Sequence, residues 1–420
     1  MTDAADRIVI LNDFSSAEGG AGYLATQLAG GLAGRGLRVT YIAGDGGDGD
    51  WPAGVQPVPL GGLRLLDGGA LAAARRGLHD AGMARQIRNW IARNDTPRTV
   101  YHQHNWSNIL SPSVFDALAP VADRCVIHAH DFFLACPNGS YLDFGKVAVC
   151  DRVPLSAACV VTACDKRSYP HKLWRVLRQR GLRDRLKPHL AAATFVMVHP
   201  AMADRLRRAI RPRHMTAIRN PVMAFGPPVP APARQTRIAH IGQVQRLKGV
   251  FDLAQAARQA GACVDFFGGG EDLADLAARY PEHRYHGFTD RAALHDHLCR
   301  ARLVVVATQS PEPFNLAAFE SIATGLPLVV SDAILAAGEL VATGAARAFR
   351  AGNVADLTAV LTGLMADDAA VAALAQAARQ VTGQQDMDSW VDAHLALYRR
   401  ILRPVPMTPL TQEVATLATS

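Results

Sequence analysis

Two glutamates, Glu312 and Glu320, stand seven residues apart inside EPFNLAAFESIATGLPLVV, directly after the apolar run RLVVVAT at 302–308. In an open parallel sheet, ligands bind beyond the carboxyl ends of the strands, so this loop and the helix it opens lie at an expected binding position. Asn315 suits the N-cap of that helix, whose first amides would then face an anion such as a diphosphate. Two carboxylates near a phosphate repel it unless they serve another partner. Vicinal sugar hydroxyls are the natural one, because a carboxylate accepts two hydrogen bonds. Eight helical residues turn the pair about 80° apart with an apolar stretch between, so a shared solvated face explains them poorly.

A second constellation is VIHAHDFFLACPNG at 126–139, which puts His128, His130 and Asp131 at the end of an apolar strand, with His102-x-His104 earlier. Each His-x-His pair shares a strand face. Metal-dependent hydrolases use such pairs, so metal-assisted hydrolysis is the alternative reading. It would leave the glutamate element without a task. Cys136, Cys150, Cys159 and Cys164 form another metal-ligand set by residue type, but without a CxxC pair they read as buried thiols. The Gly20-x-Gly22-x-x-Ala25 run imitates a dinucleotide fingerprint, yet residues 13–19 separate it from the preceding strand.

The elements that must position these groups follow from periodicity. Residues 7–12 (RIVILN), a Gly-rich loop, an apolar-periodic stretch at 20–35 and LRVTYIAG read as a βαβ unit. Runs at 98–102, 124–129 and 194–198 continue it, and a second series reads 237–242, 263–269, 284–288, 302–308 and 326–332. Alternating strands and helices predict parallel sheets. A chain of 420 residues exceeds one comfortable core, and the proline-rich 221–234 marks a linker. The expected domains are therefore 1–222, 223–386, a C-terminal helix at 387–403 returning to the first domain, and a disordered tail at 404–420.

Charge is local. Lys166 to Lys187 contains nine Lys or Arg against one acid, Asp184, a net of +8 in a chain whose formal total is +7. Leu173, Trp174, Val176, Leu177, Leu182 and Leu186 interleave with those cations, which suits an interfacial amphipathic helix on an anionic membrane surface. No nucleic-acid module is recognisable, and nucleic acid is not an expected partner. No run approaches the length of a membrane span, the first residues carry no apolar h-region, and seven cysteines are an odd count. These features predict a cytoplasmic protein, peripheral on the membrane through 166–187.

The Glu-x7-Glu element in EPFNLAAFE, followed by Ala323, Gly325 and Pro327, resembles the donor-binding signature of glycosyltransferase family 4, and the similarity covers almost the whole chain. The resemblance implies the α/β GT-B fold, with two Rossmann-like domains facing across a cleft. It assigns Glu320 to the donor ribose and Glu312 to the transferred sugar, with Phe314, Asn315 and Leu316 in the same donor loop. HIGQVQRLKG at 240–249 is similar to the family's Gly-Arg…Lys-Gly loop, which neutralises the donor diphosphate. Gly242 and Lys248 match; Gln243 replaces the arginine, and Arg246 is the substitute on the same loop. His130 falls on the family's histidine under the transferred sugar, and Gly19 and Gly20 on its N-terminal glycine loop. The implied activity is retaining transfer of a sugar from a nucleoside-diphosphate sugar to a hydroxyl of a glycan or lipid-linked acceptor. The resemblance implies no metal and no other cofactor.

Overall fold

The computed structural model describes residues 5–16, 19–65, 67–383 and 385–403. The chain forms two compact units, one from residues up to 137, 173–218 and from 391 onward, the other from 138–172 and 219–390. This corrects the expected division at 222/223 and at 386/387. The excursion 138–172 joins the second unit, where Lys166 pairs with Glu271. Residues 219–222 do so as well, through an Arg219–Glu339 ion pair and a hydrogen bond from Val222 N to Gln385 O. The expected tail 404–420 lies outside the described residues.

In the first unit the strands are β1 (Arg7–Asn12), β2 (Val39–Ala43), β3 (Val55–Pro59), β4 (Thr99–Gln103), β5 (Cys125–Ala129), β8 (Thr194–Met197) and β9 (His214–Ala217). They form a seven-stranded sheet in the order β3-β2-β1-β4-β5-β8-β9, and every pairing is parallel. Every residue of β1, β2, β4 and β5 is buried. That is why they read as continuous apolar runs rather than alternating ones. The helix Gly19–Gly34 buries Leu24, Leu28 and Leu32. From Val391 onward the helix Met387–Leu402 also belongs to this unit; a Cβ on Gly31 would stand 2.6 Å from the Val391 side chain.

The second unit holds β10 (Arg237–Ile241), β11 (Cys263–Phe267), β12 (Arg284–Gly287), β13 (Ala301–Val306), β14 (Leu328–Ser331) and β15 (Ala346–Phe349) in the parallel order β12-β11-β10-β13-β14-β15. The excursion contributes a short antiparallel hairpin of β6 (Leu142–Asp143) and β7 (Ala148–Val149). The central core of this unit includes Ile238, Val264, Phe266, Leu303, Val305 and Val329, with helices supplying Leu253, Leu357 and Leu361. Beyond the ends of β10 and β11 two backbones meet closely. Gly268, at φ +130°, lies so near the Gly242 carbonyl that a Cβ would stand 2.0 Å from that oxygen.

Gly268→Ala therefore forces the two loops apart and should cost about 1–3 kcal/mol of stability. Urea unfolding of the variant should show the loss; an unchanged midpoint would mean that the approach is not required.

Candidate functional site

In the second unit, the loops at the carboxyl ends of two strands, β10 and β13, carry the predicted donor residues. After β10, Arg246–Lys248 form a single 3-10 turn, and Gly249 at φ +69° begins the helix Val250–Gln259. A Cβ on Gly249 would stand 2.0 Å from the Ala307 carbonyl oxygen, so only glycine lets this loop pass so close to the end of β13. Lys248 Nζ donates to both oxygens of Glu312 at 3.0 Å. The cation expected on the diphosphate and the carboxylate expected by the sugar are thus paired, with side-chain exposures of 28% and 21%.

Asn315 caps the helix Leu316–Ala323, its side chain accepting from Ala318 N at 2.9 Å. Phe314 stacks on Phe319, ring centroids 4.2 Å apart. The apolar stretch between the glutamates thereby anchors the helix, with Ala318, Phe319 and Ile322 buried, while Leu316 is half-buried at its first position. Glu320 is only 13% exposed at its side chain and accepts from Arg291 Nη2 at 3.1 Å. Burial raises its carboxyl above the ordinary range, and Arg291 opposes that rise. Gly325, at φ +77°, ends the segment.

Arg246 lies on the same turn as Lys248. Its guanidinium donates to Asp275 at 2.6 Å, approaches Asp272 at 3.5 Å and lies over the Phe251 ring. Two acids and a ring hold it, so its charge, like that of Lys248, is partnered within the unit. Arg291 was not singled out by the sequence, although Thr-Asp before it is a helix-start signal; Asp290 caps that helix by accepting from Ala292 N and Ala293 N. Phe288 was missed too. It follows Gly287 at the end of β12 and is 92% exposed, which no single-sequence pattern marks.

In the first unit, β4 and β5 lie side by side and bring His102, His104, His128 and His130 into one layer. His104 Nδ1 and His130 Nε2 are 2.9 Å apart; His102 Nε2 and His128 Nδ1 are 3.2 Å apart. Tyr398 Oη closes the second chain at 2.7 Å from His102 Nδ1, and His394 packs against His102 and His128. Burial pushes the His130 imidazole down to about 3, and burial with neighbouring rings puts His102, His104 and His128 well below the usual value. All four are neutral at pH 7. Asp131 is pushed up to about 6 by burial, while accepting from Phe133 N. Ligand atoms of His102, His104 and His128 lie within 4.8 Å of one another, as the metal reading expects. Four of their ring nitrogens, however, are already engaged in hydrogen bonds to His130, Tyr398 or each other. Gly19 and Gly20 begin the exposed start of the first helix, Gly19 at φ +67°.

The basic helix is only partly available to a surface. Lys172 and Arg178 are buried, and Arg178 donates to the Ser107 carbonyl at 2.7 Å. Arg185 pairs with Asp116 at 2.8 Å, and Val176, Leu182 and Leu186 are buried. Leu173, Leu177, Arg180 and Lys187 remain exposed. Among the described residues no single helix is long and apolar enough to cross a membrane.

Residues 227–381 match the family described as Glycosyl transferases group 1. Glycogen synthase of Mycobacterium tuberculosis is 27% identical over 316 residues, covering 68% of this chain and 72% of that protein. Sucrose-phosphate synthase from Thermosynechococcus elongatus superposes with a TM-score of 0.70 at 16% identity, covering 94% of this chain and 99% of the other. Anabaena HepE in complex with UDP-glucose gives 0.62 at 14% identity, covering 93% and 98%. The fold is that of GT-B glycosyltransferase structures. The segment that matches the Glycosyl transferases group 1 model lies within the second unit.

The histidine layer has a pH consequence. Each of these imidazoles has a lower pKa folded than unfolded, so its contribution is complete above the unfolded value near 6.5 and is lost as pH falls below it. Asp131, raised to about 6, acts in the opposite direction, but one carboxyl faces four imidazoles. Stability should fall by on the order of 1.4 kcal/mol per pH unit per histidine between pH 6.5 and 5. Urea midpoints at the two pH values should show this, and a shallower slope in His128→Gln should trace it to the layer.

Proposed function

We propose that the protein is a retaining glycosyltransferase of family 4, moving a hexose from a nucleoside-diphosphate sugar to a hydroxyl of a glycan or lipid-linked acceptor. The observation that carries this reading is a buried carboxylate, Glu320, held by Arg291 on the same sheet edge as the Lys248–Glu312 pair and the Asn315-capped helix. Glu320 accepts from the two ribose hydroxyls. Lys248 turns from Glu312 towards the diphosphate, and the first-turn amides after Asn315 stabilise the charge that develops on the departing group. Glu312, released from Lys248, faces the sugar. No bound metal has a part in this step.

Phe288 has the exposure and flat face to stack on the nucleobase, next to the Arg291 that holds the ribose carboxylate. His130 takes the role that the resemblance gives it, at the transferred sugar. Its support is chemical state: a neutral imidazole fixed through Nε2 by His104 interacts with a hydroxyl without adding charge. The complex of HepE with UDP-glucose and the likeness to glycogen synthase favour a nucleoside-diphosphate hexose and a glycan. The exposed Leu173, Leu177, Arg180 and Lys187 favour a membrane-borne acceptor.

A thermal-shift panel of nucleotide sugars tests the donor, since a ligand at a hundred times its dissociation constant adds about 2.7 kcal/mol. Glu320→Ala should abolish the shift and most turnover, and Phe288→Ala should weaken donor binding by about 1–3 kcal/mol with kcat little changed. No stabilising nucleotide sugar, or wild-type donor affinity in Glu320→Ala, would contradict the reading. For His130→Ala the expected result is a loss of turnover of roughly 10²-fold or more at nearly constant donor affinity. Wild-type turnover would remove His130 from the reacting centre.

A further inference from the structure

Residues 219–222, where the chain enters the second unit, and 381–389, just before it leaves, meet the Asn315-capped helix Leu316–Ala323 and the helix Ala337–Ala342 around a cavity of about 550 Å³. All of its lining residues belong to that unit. The apolar part of the lining is the buried Phe314, Phe319, Ile322 and Leu340 with the half-buried Val222. That size and that lining suit a small molecule.

Asn220 also lines this cavity and is only 5% exposed, yet its side-chain oxygen is buried without a hydrogen-bond partner. No hydrogen bond among the described residues uses its side-chain nitrogen either. Buried amides are paired almost without exception, and the exceptions concentrate where a ligand supplies the missing bonds. An amide presents a donor and an acceptor side by side, and rotation about its last bond exchanges the two. The group that satisfies both is another amide-type edge, a carboxamide or a lactam. The stacked rings of Phe314 and Phe319 favour an aromatic body beside that edge. At the rim Arg219 and Glu339 pair with each other, which favours an uncharged ligand over an anion.

We propose that this cavity binds a small uncharged aromatic molecule with a carboxamide or lactam edge, which pairs with Asn220 and rests on Phe314 and Phe319. Both rings belong to the stretch between Glu312 and Glu320, so the ligand steadies the helix that presents Glu320 and strengthens donor binding. This effector role rests on the donor reading above; the site itself does not. Linkage makes the effect reciprocal, the donor tightening the ligand by the same factor.

Benzamide is the probe, titrated calorimetrically into the full-length protein. It should bind at a saturable site, tenfold or more tightly than methyl benzoate, which has the ring but no N–H to donate. Asn220→Leu should lose benzamide by tenfold or more with its melting temperature unchanged or raised, because the amide gives up no partner within the chain. Should that variant not fold, Ser389→Trp on the exposed rim replaces it and should also lose the probe. Hydrogen exchange with benzamide should show protection at 316–323 and 337–343, and bound benzamide should tighten nucleotide-sugar binding by about fivefold or more. No saturable binding, equal binding of methyl benzoate, wild-type binding in the variant, or a nucleotide-sugar affinity unmoved by benzamide would each overturn the proposal. A protein that binds benzamide but no nucleotide sugar contradicts the donor reading and leaves the site standing.

Discussion

Glu320 is the constraint on which the second unit's site depends. A carboxylate one turn inside an apolar helix is expensive to bury, and it stays there because Arg291 reaches it from the first turn of the helix after β12. That pair ties the helix after β13 to the helix after β12. Arg291 also donates to the carbonyls of Met223 and Ala224, so one guanidinium fixes the entry to the unit as well. Glu312 and Lys248 repeat the device one loop over, tying β13 to β10. A parallel sheet collects these loops at one edge whatever their sequence; the two ion pairs give that edge a definite chemistry.

The first unit solves a different problem with four imidazoles on adjacent strands. Packed together and buried, they remain neutral, and hydrogen bonds between them satisfy nitrogens that would otherwise be orphaned. His102 and Tyr398 bring the C-terminal helix into the same network. The helix that closes the chain thus sets, through His102 and His128, the packing of the layer in which His104 fixes His130.

Much of this was legible in the sequence. The buried central strands announced themselves as apolar runs, and Asn315 before LAAFESIA predicted the cap that is observed. In the two large sheets the strands missed were β3, β9 and β15, all at sheet edges, where short length and, in VQPVP, two prolines remove the pattern; the two-residue strands β6 and β7 were missed as well. Chain order suggested an uninterrupted first domain, but 138–172 packs with the second unit, because compactness is decided by long-range contacts. The partners of Arg246 were not legible for a related reason: Asp272 and Asp275, which hold it, are remote in sequence. Phe288 carries no periodic signal and becomes visible only as exposed surface.

The central claim is that a nucleoside-diphosphate sugar binds at the strand-end loops of the second unit. Hydrogen exchange of the wild type with and without the best stabilising nucleotide sugar measures this directly. Protection is expected in three segments, 242–252, 286–292 and 312–320, with little change in the outer helices of the same unit such as 368–380. Protection elsewhere with those three unaltered would contradict the account.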